Sequence, residues 1–348
     1  MTDIVDPHMT SLTREAAETP EAARSQISRT RDIFKELGKR LRHTPPSFVA
    51  TCARGSSDHI TTYGKYVIES FSYKAVASLT PGLSSVYTVP VNLKDALFIS
   101  VSQSGKSPDI LAMAEAAKKS GALVVGFVNN EQSPLFELCD IAIPLSAGPE
   151  KSVAATKSCL VSGLAYLQLA AHWCQDQALL RLIDQLPELF EKAAELNWED
   201  ALLQLESAIN LYVIGRGPSL GIAQEIALKL KETCGLHAEA FSSAEVIHGP
   251  LVLAKKGFPV LLLGQNDQSL PSLADTGSRF LNAGSSVLST IDLDKTICLP
   301  TLASRDTSPV IEPLCQLLSF YMAVSSLALK RGFDPDRPPH LRKVTETV

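Results

Sequence analysis

The feature that most constrains this chain is an internal repeat. NLYVIGRGPS at 210–219 resembles SFVATCARGSS at 47–57, and FPVLLLGQNDQS at 258–269 resembles ALFISVSQSGKS at 96–107. One offset of 162 residues aligns both pairs. It places Arg54, Gly55 and Ser57 on Arg216, Gly217 and Ser219, and Gln103 and Ser107 on Gln265 and Ser269. A period of domain length implies two tandem units of one architecture, and 348 residues leave room for both.

Within the first repeat, short apolar runs alternate with amphipathic helices: PSFVATCARGSS then a helix, DALFISVSQSGKS then a helix, GALVVGFVNN, then the long KSCLVSGLAYLQLAAHW. Strand, loop and helix in succession predict an α/β fold of two doubly wound parallel sheets, each covered on both faces. Residues 1–42 read as a polar helical arm, with Thr19-Pro20 starting a helix. Residues 43–180 and 200–335 are the expected first and second α/β domains, joined by a charged helical stretch at 176–200. The tail, 336–348, has adjacent prolines and no helical period, so taken alone it is an irregular terminus.

Composition narrows the partners. The chain is 45% hydrophobic and 20% charged with a formal charge of -5 and no basic patch, which argues against nucleic-acid binding. Seven cysteines at 52, 139, 159, 174, 234, 298 and 315 form no C-x-x-C pair, pointing to a reducing cytosol rather than a disulfide framework or a zinc site. The amino terminus is acidic and polar, and no stretch approaches the roughly 18 apolar residues of a membrane helix. The expectation is a cytoplasmic protein with no membrane partner.

Gly105-Lys106-Ser107 looks like the end of a nucleotide-binding P-loop, but that motif needs a glycine five residues earlier, where Ser100 stands. The loop is better suited to one small anion. At the carboxyl ends of parallel strands, loops lead into helix amino termini with orphan N–H groups. There the hydroxyls of Ser57, Ser102, Ser104 and Ser107 and the amide of Gln103 can surround a phosphate, and Gly105 allows close backbone approach. The competing reading is that these serines merely cap helices. In the second repeat Ser102-Gln103-Ser104-Gly105 becomes Gly264-Gln265-Asn266-Asp267. An aspartate there repels an anion, so one ligand site per chain is expected.

In IAQEIALKLKETCG, Glu225, Lys229 and Glu232 fall at i, i+4 and i+7 on one helical face. Such a set is either a stabiliser of an exposed helix or an acid–base array. HAEAFSSAEVIHGP adds His237, Glu239, Glu245 and His248, whose spacings match no common metal-ligand set. No metal or cofactor is expected.

Taken together and in order, ARGSS, SQSGKSPD, EKSVAATKS, GRGPS, ALKLKE, HAEAFSSAEVIHGP and HLRKVTETV resemble the double SIS (sugar isomerase) module of glucosamine-6-phosphate synthase, over roughly residues 9–348. The resemblance implies flavodoxin-like SIS domains and a sugar phosphate held by Ser57, Ser102, Gln103, Ser104 and Ser107, with weaker contacts from Gly55, Val153, Ala155 and Arg342. It implies that Glu232, beside Lys229, moves the proton between C1 and C2, that His248 opens the sugar ring from a neighbouring subunit, and that Lys343 is the amine that meets the open-chain sugar. A homodimer with shared active sites follows. Two departures stand out: Lys106 replaces the family's usual glutamate, and Ala155 replaces a sugar-contacting serine.

The synthase's glutaminase domain has no counterpart in the sequence, which starts almost directly at the isomerase half. The resemblance is therefore most like the glutaminase-free relatives, among them SIS-type glucosamine-6-phosphate deaminases of amino-sugar metabolism. The expected reaction is glucosamine 6-phosphate and water to fructose 6-phosphate and ammonia, independent of glutamine. The alternatives are a deglycase or isomerase acting on another sugar-phosphate adduct, such as a galactosamine phosphate, and a non-catalytic sugar-phosphate sensor.

Overall fold

A computed structural model describes residues 9–303 and 306–343. The described chain forms two five-stranded parallel sheets flanked by helices, the expected α/β fold. Strands β1 (Val49–Cys52), β2 (Val76–Ser78), β3 (Leu97–Ser102), β4 (Leu123–Val128) and β5 (Ile141–Pro144) lie in the order β2-β1-β3-β4-β5. Strands β6 (Asn210–Gly215), β7 (His237–Ser242), β8 (Pro259–Leu262), β9 (Ser286–Ser289) and β10 (Ile297–Cys298) repeat it as β7-β6-β8-β9-β10. This is the flavodoxin-like order, whose reversal between the first and third strands opens a crevice at their carboxyl ends. The strands β2, β5, β7 and β10 are not distinct as apolar runs, because their burial is partial.

The repeat is kept to the residue. The helices Ser56–Ser72 and Pro218–Cys234 each have 17 residues and begin after glycines of one unusual backbone conformation, Gly55 (φ 56°, ψ -132°) and Gly217 (φ 59°, ψ -134°). Both end on a left-handed residue, Tyr73 and Gly235.

By compactness the chain divides into two units. One holds Glu21–Pro149 and Ser158–Pro187 and contains β1–β5; the other holds the segment ending at Pro20, Glu150–Lys157 and Glu188–Lys343 and contains β6–β10. The helix Gln177–Ala194 carries Pro187 in its interior, and the division falls there. A proline at that point removes a backbone hydrogen bond.

In the first unit, register places Ala50, Phe98 and Val124 side by side on one sheet face, where they join Ile110, Met113 and Leu135 in a core. In the second, Tyr212, Val260 and Val287 align the same way and meet Leu273 and Phe280. Each such aliphatic or aromatic side chain contributes roughly 1.5–3 kcal/mol on burial. These cores hold the strand ends in place.

One sequence expectation needs correction. The helix Glu312–Lys330 is long and apolar enough, by length and composition, to cross a membrane. In the structure, residues from Pro313 to Ala328 are nearly all buried against protein, so its apolarity serves a core.

Candidate active site

In the first unit, the loops after β1 and β3 face the crevice. Ser102 Oγ accepts the Gly105 N–H at 2.9 Å and Ser104 Oγ accepts the Lys106 N–H at 3.4 Å, which shapes the loop and leaves both hydroxyl protons to donate elsewhere. Gly105 has φ 65°, and a Cβ there would lie 2.0 Å from Ser133 Oγ, so the turn admits only glycine. Ser107 is the N-cap of the helix Pro108–Lys119 yet makes no capping bond through its side chain. Ser133, by contrast, does cap the short helix after it. The helix-cap reading therefore does not account for Ser107. Ser57, Gln103, Ser104 and Ser107 are half-buried and Lys106 is exposed.

The matching loops of the second unit are already occupied by their own side chains. Gln265 donates to Arg216 O at 3.0 Å, Asp267 Oδ2 at 2.8 Å and Ser269 Oγ at 3.1 Å, while Ser219 donates to Gln265 Oε1. Asp267 Oδ1 accepts from Ser269 N at 2.8 Å and Ser269 Oγ at 2.5 Å. Asp267 acts as an internal anion: it repels a second ligand, as its charge implies, and also uses up the donors that would bind one.

The Glu225–Lys229–Glu232 set belongs to the second unit. Lys229 Nζ lies 2.6 Å from Glu232 Oε2 and 3.2 Å from Glu225 Oε1, and Tyr321 OH donates to Glu225 Oε1 at 2.8 Å. Side-chain exposure is 1% for Lys229, 0% for Glu225 and 20% for Glu232. Burial rules out the exposed-helix stabiliser, whose value depends on solvated side chains. The counterparts 162 residues earlier are Tyr63, Val67 and Ser70, of which Tyr63 and Val67 are fully buried.

A second cluster in the same unit joins residues far apart in sequence. Lys343 Nζ donates to Glu150 Oε2 at 3.2 Å, and Glu150 Oε1 accepts the Thr156 N–H at 3.1 Å. Glu15 accepts from the backbone N–H groups of Lys151 and Ser152, so it clamps the segment carrying Val153 and Ala155. Burial pushes the Glu15 carboxyl above its ordinary range; the two amides oppose the rise, Glu150 adds to it and Lys343 opposes it. The hydroxyls of Ser152 and Thr156 are buried without a hydrogen-bond partner. The tail is tied down as well, since Asp336 accepts from Ser11 N at 2.7 Å and Leu12 N at 2.9 Å.

The structure thus brings Lys229 to Glu232 and anchors Lys343 on Glu150. It does not bring His248 or Arg342 to either cluster: both are exposed. His237, Glu239 and Glu245 are exposed too, and among the described residues no three His, Cys, Asp or Glu side chains converge on a metal position. Residues 344–348 of the tail lie outside the described residues. Sequence reasoning missed Glu15 and Glu150, which hold the segment at Lys151 and Lys343 respectively. Glu150 heads the EKSVAATKS motif and was open to notice; nothing local marks Glu15.

Two flavodoxin-like units, an open serine loop in one and a buried carboxylate–lysine array in the other, define the class, and the SIS domain model matches residues 48–172 and 204–284. The chain belongs to the SIS domain family. Glutamine–fructose-6-phosphate aminotransferase (isomerizing) of Thermococcus kodakarensis is 29% identical over 353 residues, taking in 97% of this chain and 58% of that protein. The chain thus spans little more than half the length of that relative. A crystal structure of a candidate phosphosugar isomerase from Silicibacter pomeroyi DSS-3 is 40% identical, covers 94% of this chain and 100% of its own, and superimposes with a TM-score of 0.89. The glucosamine-6-phosphate deaminase of Thermotoga maritima shares the fold, with a TM-score of 0.68 and 22% identity over 95% of this chain and 100% of its own.

Proposed function

We propose that this protein is an amino-sugar phosphate deaminase that isomerises as it deaminates, converting glucosamine 6-phosphate and water to fructose 6-phosphate and ammonia. The observation that carries the reading is the buried Glu225–Lys229–Glu232 array. Its repeat-mate fills the Glu225 and Lys229 positions with Tyr63 and Val67, so the fold does not require ions there. Burying them costs several kcal/mol per ion before pairing recovers any of it. A carboxylate held by a lysine is suited to moving a proton between adjacent carbons.

In this reading the serines of the first unit hold the phosphate and His248 assists ring opening. Glu232 takes the C2 proton from the open-chain aldehyde and returns it at C1. That leaves an imine at C2, which water hydrolyses with release of ammonia. Lys343, fixed on Glu150, meets the open-chain sugar. Exposed Ile247, Val252 and Leu253 around His248 support a homodimer in which this turn serves a neighbouring subunit's site.

Purified protein given glucosamine 6-phosphate should release ammonia without glutamine, and Glu232→Gln, in protein that still unfolds cooperatively, should lower kcat by on the order of 10²–10⁴. Absence of ammonia from the wild type refutes the deaminase. Ala155, half-buried where the resembling family has a hydroxyl, supports a second substrate reading, a related hexosamine phosphate. A panel of hexosamine phosphates in the same assay separates the two.

A further inference from the structure

The loops of the first unit are joined by an ion pair that the reading above does not use. Arg54 follows β1 and Asp109 lies in the first turn of the helix after β3, so the pair spans the two loops of the crevice. Arg54 Nε and Nη2 donate to the same oxygen, Asp109 Oδ2, at 2.8 and 2.5 Å. The partners differ in exposure: the Asp109 side chain is 1% exposed and that of Arg54 is 51% exposed. A loop staple would need only the inner edge of the guanidinium. Here Nη1 makes no hydrogen bond among the described residues, and the half-exposed outer edge of the guanidinium keeps its N–H groups available.

The repeat gives an independent comparison. Arg216 stands at the same loop position just before the same glycine turn, but the counterpart of Asp109 is Pro271. The second unit has therefore lost the carboxylate that would hold its arginine, and Asp267 fills its anion place. A tethered arginine and an open serine loop occur together, in one repeat only.

We propose that Arg54 is the charged ligand of the substrate's phosphate, and that Asp109 is the positioning residue that fixes its guanidinium. The proposal rests on the reading of the serine loop as the phosphate site. A guanidinium can face two oxyanions at once because its donors form a planar fork, and being held beforehand it loses little freedom when the ligand arrives. Hydroxyls and backbone N–H groups supply geometry around the phosphate; Arg54 supplies the charge that distinguishes a phosphomonoester from a neutral sugar. A lysine cannot replace it, since one ammonium does not hold Asp109 through two converging bonds and still present a planar array of donors.

The test is calorimetric titration of the full-length wild type, Arg54→Ala, Arg54→Lys and Asp109→Asn with fructose 6-phosphate and with unphosphorylated fructose. Arg54→Ala should weaken fructose 6-phosphate binding about 10- to 100-fold, and Arg54→Lys should recover little of it. Asp109→Asn should give a smaller loss that raises KM with kcat retained, and no variant should change the response to fructose. If Arg54→Ala unfolds because Asp109 is left unpaired, Arg54→Ala/Asp109→Asn removes that charge and should fold while still binding weakly. Fructose 6-phosphate binding by Arg54→Ala, or by the double variant, within twofold of wild type overturns the role of Arg54 alone. No binding by the wild type overturns the phosphate reading and the role of Arg54 with it.

Discussion

The helices Ser56–Ser72 and Pro218–Cys234 are one element built twice, with the same length, the same glycine start and the same left-handed end. Their interiors differ. The first buries Tyr63 and Val67, and the second buries Glu225 and Lys229 at the same positions. The loops differ in the opposite sense: the first repeat carries hydroxyls and a glycine, and the second ties the matching donors to Asp267. The two frames are equal in backbone and differ in the side chains they carry at matched positions. Backbone geometry tolerates this because the parallel sheet and its glycine turns fix the strand ends whatever side chains project from them.

The largest effect that could break the comparison concerns the buried pair. Lys229→Met leaves Glu225 and Glu232 facing each other without a cation and should destabilise the protein by about 3–5 kcal/mol in urea titration. Glu225→Gln/Lys229→Met removes both charges and should recover most of that loss while activity stays abolished. A double variant as unstable as Lys229→Met would mean that the ions are structural.

A smaller, symmetric effect is expected at the two glycines. Gly55→Ala and Gly217→Ala each force a side chain into a left-handed backbone, at about 1–3 kcal/mol. Neither alanine would clash: a Cβ at Gly55 meets nothing within 4 Å, and at Gly217 the nearest atom, Gln265 Nε2, is 3.5 Å away. Equal losses by thermal denaturation would confirm that the frames match. Only Gly55→Ala should also weaken fructose 6-phosphate binding.

The smallest effect is a pH slope, and it belongs to the second unit, where the carboxylate of Glu15 is buried. Burial raises its folded pKa, so the folded state holds the proton more tightly than the unfolded chain. Its contribution to stability therefore falls as pH rises from the ordinary carboxyl value of about 4.3 through the raised folded value, then levels off. Glu15→Gln should flatten that part of the stability–pH curve. A slope unchanged in Glu15→Gln would assign it to another group.

Much of the site's local form was legible in the sequence. Three residues at i, i+4 and i+7 share a face in any α-helix, so Glu225, Lys229 and Glu232 could be grouped without coordinates. A loop of serines and glycine after an apolar run is a strand end leading to a helix, and the 162-residue period tied two such loops to one architecture. What periodicity does not encode is depth. The same Glu–Lys spacing serves a solvated helix or a buried array, and only the packing of the helix Glu312–Lys330, which brings Tyr321 to Glu225, decides between them.

The sequence by itself determined the repeat, the parallel α/β frame and the residue types at each strand end, because these depend on backbone preferences within a few residues. Tertiary structure alone decided which side chains distant in sequence meet. Lys343 reaches Glu150 across 193 residues of chain, Glu15 reaches Ser152 across 137, and Arg54 reaches Asp109 across 55. Such contacts form only when the whole core fixes distant segments together, and their free energy comes from burial and charge pairing that no short stretch can display.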